Sequence, residues 1–439
     1  LVFLDESYGP TPGLATEWST TPDAKTWTIK LRDTTWHDGS KVSADDLIYS
    51  LTQMAKPEHF GSLIGSKVDV PNLKKVDDLT VTVPLVAPDS EFISYFNPFN
   101  FNTLIVKSGA TDFAKPVGNG PFVVESFTPG RGAVLKRNAA YWQTGKPYVD
   151  TLNITSFADD NAIVNALTTG QVDIAEVQPL DARKLKSVSG MTVESVPART
   201  VIEAFVMRLD VKPFDDPRVR EALKLVVDRD AWITTKYFGE GEVANDLPGK
   251  GLPLYADQIA QRTKDVEKAK SLLAEAGVPD LKVTLTSTDA FGFSDSAALF
   301  ARQAKEAGIT VEIKKVPPAS YFDPSIGYLK YDFSSTFLVT PSIPYVYLAN
   351  IISTAPFNES HTSDKAFDAK VAAALATTDE ASAATQWAAI QQDMFDSGGY
   401  IIPAIGPTIN AWAGRVQGAH HTSAAYLGLV GLRDVWVKA

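Results

Sequence analysis

Apolar positions along this chain recur with two periods, every second residue in some stretches and about every 3.6 residues in others, and the two kinds of stretch alternate. Trp27, Ile29 and Leu31 alternate with Thr28, Lys30 and Arg32 as in a half-buried strand, and Asp38-Gly39 follows as a turn. Ser43 stands as an N-cap before Leu47, Ile48, Leu51 and Met54, which recur at helical spacing behind Asp45 and Asp46. Residues 79–83 and 122–127 read as further strands, the second turning at Pro129-Gly130 into Ala133-Val134-Leu135. Asp159-Asp160 precede a short helix with Ile163, Val164 and Leu167 that Gly170 stops, and residues 172–175 read as a short parallel strand.

Residues 217–232 predict one continuous helix (Val219, Ala222, Leu223, Val226, Val227), and residues 265–276 another with Gly277 in the stop position. Residues 281–285, a helix over 297–307 and residues 310–313 form a strand–helix–strand unit. Two later helices, 366–376 and 381–395, lead into Tyr400-Ile401-Ile402. There is no fixed-period repeat or low-complexity linker, so the pattern favours α/β lobes joined by several chain crossings.

Composition narrows the function. The 439 residues are 44% hydrophobic and 21% charged, an ordinary globular balance, and the length predicts two or three lobes. With 41 basic against 52 acidic residues the net charge is −11, and no run of five basic residues occurs, which argues against a nucleic-acid partner. The absence of cysteine removes thiol nucleophiles, disulfides, thiolate zinc sites and Cys-ligated clusters together. Leu1 is not a start methionine and no targeting segment precedes it, so the reading is a mature, trimmed or N-terminally incomplete chain. The uncharged residues 333–358 raise the question of a membrane span, but Pro341, Pro344, Pro356 and many hydroxyl and amide side chains argue against one.

Catalytic and metal signatures are missing from the pattern. There is no nucleophile elbow, zincin motif, phosphate loop or calcium loop. Gly239-Glu240-Gly241-Glu242-Val243-Ala244 approaches a dinucleotide fingerprint but follows a helix and places two carboxylates where a pyrophosphate would lie, so it reads as a loop. The neighbours His420 and His421 point apart and share a metal poorly, and Trp36-His37-Asp38-Gly39 reads as a turn before it reads as a catalytic pair. Asp159-Asp160 and Asp215-Asp216 could serve as the carboxylate couple of a glycoside hydrolase, yet each stands just ahead of a helix, where capping accounts for it. No catalytic residue, metal or cofactor is assigned.

Three uncharged, aromatic stretches stand out: residues 92–106, 333–358 and 400–414. Asn97-Pro98-Phe99-Asn100-Phe101-Asn102 and Thr340-Pro341-Ser342-Ile343-Pro344 are too rich in turn residues for plain core, and they read as loops lining a ligand cleft.

Five ordered blocks carry a resemblance over essentially the whole chain. They are Pro12-Gly13-Leu14-Ala15-Thr16-Glu17-Trp18 with the stretch from Trp27 to Asp46; Gly118-Asn119-Gly120-Pro121-Phe122 with Arg137-Asn138-Ala139-Ala140-Tyr141-Trp142; Leu167-Thr168-Thr169-Gly170-Gln171-Val172-Asp173-Ile174; Pro213-Phe214-Asp215-Asp216-Pro217-Arg218-Val219-Arg220-Glu221-Ala222-Leu223 with Asp228-Arg229; and Ala269-Lys270-Ser271-Leu272-Leu273-Ala274-Glu275-Ala276-Gly277. Together they resemble the family 5 extracellular solute-binding proteins of bacterial ABC importers, the oligopeptide, dipeptide and nickel class.

The resemblance implies a periplasmic-binding-protein-like fold of type II, cluster C. It has two closing α/β lobes and an inserted smaller lobe, and performs no chemistry. Mapped onto this chain, residues 1–120 are mostly the inserted lobe II, 121–205 lobe I, 206–404 lobe III and 405–439 the return to lobe I. An opening lobe I segment, a signal peptide or a lipidated cysteine is expected ahead of Leu1. The implied setting is the periplasm or cell exterior, and the implied partners are ABC permease subunits and a captured solute, with the binder a monomer.

Peptide-binding members carry an acidic residue in the loop matching Thr336 to Pro344, where it pairs with the peptide's α-ammonium, and this chain has none there. A peptide or peptide-like solute is the first expectation and a neutral solute such as an oligosaccharide the second. Candidate ligand-binding residues are Phe337, Thr340, Tyr345 and Tyr347 on the lobe III wall, Phe291 and Phe293 in a neighbouring loop, Ile405 and Trp412 near the return crossing, and Phe60 from lobe II. The aromatics would stack and Thr340 would hydrogen-bond.

Overall fold

The computed structural model describes residues 1–420, 422, 424, 427, 428 and 431–438. His421 of the histidine pair lies outside them. The chain forms two compact units, one of residues 1–196 with the C-terminal stretch from Thr408, the other of Pro197–Pro407.

In the first unit a four-stranded antiparallel sheet runs in the order Ala15–Thr20, Thr26–Leu31, Thr80–Pro84, Lys74–Lys75. Trp27, Ile29 and Leu31 are buried while Thr28 and Lys30 face out, as the alternation requires. The helix Ala44–Met54 packs on this sheet. Asp46 in its first turn is buried, accepting the Ser43 N–H at 2.8 Å, the Trp36 indole N–H at 3.0 Å and the Ser108 N–H at 2.7 Å. One capping carboxylate thereby ties three separate segments together.

Phe122–Thr128, Gly132–Arg137 and Thr151–Thr155 form a second antiparallel sheet. A third has the strand Pro407–Ala413 between Ile174–Glu176 and Met191–Pro197. Ile174–Glu176 runs antiparallel to its neighbour, with Ile174 opposite Trp412, which corrects the parallel reading. Burial pattern alone does not reveal strand direction, and the partner here returns from the far end of the chain.

The second unit is built on a five-stranded sheet in the order Thr310–Lys315, Lys282–Ser287, Phe333–Val339, Val201–Met207, Tyr400–Ile401. The first three strands are parallel, and Val201–Met207 runs antiparallel to both of its neighbours. Phe205, Phe300, Phe333 and Trp232 form the aromatic centre of its core, with Phe205 and Phe300 ring centroids 5.0 Å apart. Truncating one such ring to Ala costs about 3–5 kcal/mol.

The chain enters this unit at Pro197 and leaves it after Pro407. Val201–Met207 belongs to it because it pairs along its whole length with Phe333–Val339. The expected continuous helix over 217–232 is two helices, Pro217–Leu225 and Arg229–Lys236. Apolar spacing runs through the break, since Val226, Val227 and Trp232 are all buried, but Asp228 accepts the Ala231 N–H at 2.9 Å and starts a new helix.

Two of the stretches read as cleft-lining loops are largely interior. Phe92, Tyr95, Phe96 and Phe99 are buried in the first unit. Their turns can be buried because side chains satisfy the backbone: Asn100 Nδ2 donates to Tyr95 O at 2.9 Å, and the Phe99 N–H donates to Asn97 Oδ1 at 2.9 Å. In the second unit residues 333–336 and 338 are buried in a central strand, and residues 343–351 are buried in helical turns after it. Among the described residues no helix is long and apolar enough to cross a membrane.

Candidate functional site

Parallel strands direct the residues after their carboxyl ends to one edge of a sheet, which is where open α/β sheets bind ligands. Three consecutive strands of the second unit each deliver a phenylalanine there. Phe291 follows Lys282–Ser287, Phe322 follows Thr310–Lys315, and Phe337 lies near the carboxyl end of the strand Phe333–Val339. Their ring centroids form a triangle, 5.5 Å from Phe291 to Phe337, 5.5 Å from Phe322 to Phe337 and 6.2 Å from Phe291 to Phe322. Phe322 is held in place through its neighbour Tyr321, whose buried hydroxyl donates to Ser335 O at 2.6 Å and lies 3.0 Å from Thr286 O.

Phe291 is 68% exposed and has φ of +57°, a left-handed conformation that side chains with a Cβ seldom adopt. An exposed aromatic ring on a strained backbone is stabilised neither by burial nor by local geometry, and such positions concentrate at functional sites. Thr288, just after its strand, has a buried Oγ1 with no hydrogen-bond partner.

Glu203 borders this aromatic face. It sits opposite Phe337 in the antiparallel pairing, so the two side chains share a face of the sheet. Its Oε2 accepts from Lys236 Nζ and lies 3.4 Å from the Tyr237 hydroxyl, whereas its Oε1 is buried without a partner. Lys236 also donates to Ser296 Oγ, in the helix that begins at Phe293. Burial, with Glu203 beside it, pushes the Tyr237 hydroxyl far above its ordinary pKa and keeps it a neutral donor.

Of the nine residues singled out from sequence, the structure brings Phe291, Phe293 and Phe337 together; Phe293 is a buried support 5.6 Å from Phe291. Thr340, next to that strand's end, is fully buried; its N–H donates to Thr200 O at 2.7 Å and its hydroxyl lies 3.4 Å from Leu338 O. Tyr345 is buried in the helix Ile343–Val346. Tyr347 is fully buried. Its ring lies 5.5 Å from Trp387 and 6.1 Å from Phe367, and its hydroxyl meets Met394 Sδ at 3.3 Å. Ile405 is buried in a strand pair with Glu242. In the first unit, Trp412 packs with Val416, Leu427 and Val435, and Phe60 is 90% exposed between two helices.

Phe322, Glu203 and Lys236 escaped the sequence reading. Glu203 carried the one usable signal, a charge interrupting the apolar run Val201-Ile202-Glu203-Ala204-Phe205-Val206.

The residues considered for catalysis are occupied structurally. Asp216 caps Pro217–Leu225, and the Arg218 guanidinium holds its carboxyl down to about 2, far from a general acid. It lines a surface hollow of about 1030 Å³ with Lys212, Asp215, Arg218 and Asp280. In that hollow Asp216 and Arg218 satisfy each other. Asp159 caps its helix through the Ala162 N–H at 2.9 Å. His37 Nδ1 accepts the Gly118 N–H at 3.3 Å, which leaves Nε2 to donate to Gly120 O at 3.0 Å and makes the ring a clasp between two loops. Among the described residues no cluster of three or more His, Asp or Glu could hold a metal.

Residues 9–358 match the family of bacterial extracellular solute-binding proteins, family 5 Middle. The dipeptide-binding protein of Escherichia coli (strain K12) is 28% identical over 296 residues, covering 61% of this chain and 55% of that protein. The glutathione-binding protein GsiB of Shigella flexneri serotype 5b (strain 8401) is 26% identical, covering 68% of this chain and 60% of that protein. The matches thus span little more than half the length of these relatives. Among solved structures, the binding protein AgaA from A.tumefacien R10 in complex with agropinic acid superposes with TM-score 0.82 at 24% identity, covering 100% of this chain and 92% of that one. The oligopeptide-binding protein AppA of Bacillus subtilis with a nonapeptide gives TM-score 0.81 at 20% identity and the same coverages. These likenesses establish the fold, a type II periplasmic-binding-protein architecture. With four-fifths of its length matched and its fold shared, the chain belongs to the bacterial extracellular solute-binding proteins of family 5.

Proposed function

We propose that this chain is the solute-capturing component of an ABC importer, acting outside the cytoplasmic membrane, where it holds a peptide or peptide-like solute and presents it to permease subunits. The observation that carries this reading is the triangle of Phe291, Phe322 and Phe337 at the carboxyl ends of three parallel strands, with an exposed, strained Phe291 at its rim. Aromatic rings beside a few fixed polar groups are the ordinary composition of a small-molecule site. Family membership supports the transport role, and the names of the relatives support a peptide-type solute.

A neutral solute is a second reading, favoured by a specific observation. No carboxylate occurs between Thr336 and Pro344; Glu359, which bonds to Thr336, is buried, and the charge of Glu203, opposite Phe337, is met by Lys236. Native mass spectrometry of protein purified without unfolding, followed by titration with dipeptides, glutathione and neutral oligosaccharides, tests both. A retained or titrating solute is expected. Hydrolysis of a glycoside that stops on substituting Asp215 and Asp216 would overturn the binding-only reading.

A further inference from the structure

We propose that Glu203 is a specificity-determining acceptor of this site, taking a hydrogen bond from a hydroxyl or amide N–H of a neutral solute whose apolar face lies on Phe291 and Phe337. The proposal rests on the reading above that this aromatic face binds solute, and it names the chemistry the face selects.

Glu203 is placed by strand register opposite Phe337, so carboxylate and ring point the same way from neighbouring strands. It is 15% exposed, and Lys236 beside it 14%. Lys236 Nζ binds Oε2, donates again to Ser296, and stands 3.9 Å from where a Cβ would sit on Gly292, the residue after Phe291. The carboxylate, the ammonium and the turn that carries the exposed ring are therefore contiguous. Within this group Oε1 of Glu203 is buried with nothing to accept. A buried carboxylate oxygen left unmade is costly, and native structures keep such groups chiefly where something else completes them.

The donor that completes it is neutral. Lys236 has already cancelled the charge of Glu203, so a second ammonium on Oε1 would approach that of Lys236 with no carboxylate left over. The other buried acid near this strand, Glu359, bonds to Thr336, whose side chain points to the opposite face from Phe337. Hydroxyls, primary amides and blocked peptide N–H groups fit the vacancy without adding charge, and an unblocked peptide amine does not.

The test uses a matched pair of probes, dialanine with its free ammonium and N-acetyl-dialanine amide, titrated by calorimetry into the full chain. Wild type is expected to bind the blocked probe more tightly. Glu203→Gln, whose folding is verified by its unfolding midpoint, is expected to lose about tenfold for the blocked probe, the worth of one hydrogen bond to a charged acceptor. Lys236→Met frees the charge of Glu203 and should move preference toward dialanine by about tenfold, a change that a merely structural pair would not produce. Tighter binding of dialanine by wild type, or unchanged preference in both variants, overturns the assignment of Glu203 while leaving solute binding intact. A wild type that binds neither probe and retains no small molecule overturns the solute-binding reading itself, and this proposal with it.

Discussion

Thr336 Oγ1 donates a 2.7 Å hydrogen bond to Oε1 of Glu359, and both side chains are closed off from water. Burial pushes the Glu359 carboxyl up from its ordinary 4.5 to about 8. The folded chain therefore keeps a proton that the unfolded chain releases. This group's contribution to stability is complete below about pH 4.5 and is lost as pH rises toward 8, at about 1.4 kcal/mol per pH unit. Urea unfolding of wild type and Glu359→Gln between pH 5 and 7 should show the wild type losing stability relative to the variant. Parallel profiles would contradict the buried neutral carboxyl.

Lys224 supplies the opposite sign in a different window. It is fully enclosed, with Nζ 3.3 Å from Phe395 O, and burial lowers its ammonium to about 7. Between that value and 10.5 the unfolded chain holds a proton the folded chain has lost, so stability rises with pH there. Lys224→Met is expected to flatten the rise measured from pH 8 to pH 10 and to leave the slope between pH 5 and pH 6 unchanged.

Asp246 is 0% exposed in its side chain and accepts from Arg229 at 2.7 Å, Arg262 at 2.9 Å and the Ile402 N–H at 3.0 Å. Removing it leaves two enclosed guanidinium groups without their anion. Asp246→Ala should cost about 3–5 kcal/mol. Denaturant unfolding would register this as a lower midpoint, and a loss below 1 kcal/mol would mean the arginines find other partners.

Phe291→Gly separates folding from binding. Glycine relieves a left-handed φ worth roughly 1–2 kcal/mol but loosens the unfolded chain by about as much, so the unfolding midpoint should stay close to wild type. Solute affinity is expected to fall about tenfold with the loss of the ring. A shifted midpoint with unchanged affinity would make Phe291 a structural residue.

Local chemistry was legible where it rests on near neighbours. The Ser43 and Asp159 caps, the Asp38-Gly39 turn and the parallel strands 282–287 and 310–315 stand where periodicity places them. The site was legible in part. Phe291 was readable as an aromatic in a loop after a strand and Phe337 as one within the uncharged stretch 333–358, but Phe322 joins them only because Thr310–Lys315 lies beside Lys282–Ser287. Aromatic, uncharged composition by itself did not separate an exposed ring such as Phe291 from a buried one such as Tyr347, because both patterns are the same until packing is known.

The sequence by itself determined the α/β alternation, the family, the helix caps and the lack of thiol chemistry, since these depend on residue identity and short-range spacing. Tertiary structure alone decided that Ile174–Glu176 runs antiparallel to the returning strand, that the chain changes units at Pro197 and Pro407, and that Glu203 faces Phe337 with one oxygen unmet. Strand direction, register and the pairing of distant charges are set by which segments meet after long loops close. No local period records that choice.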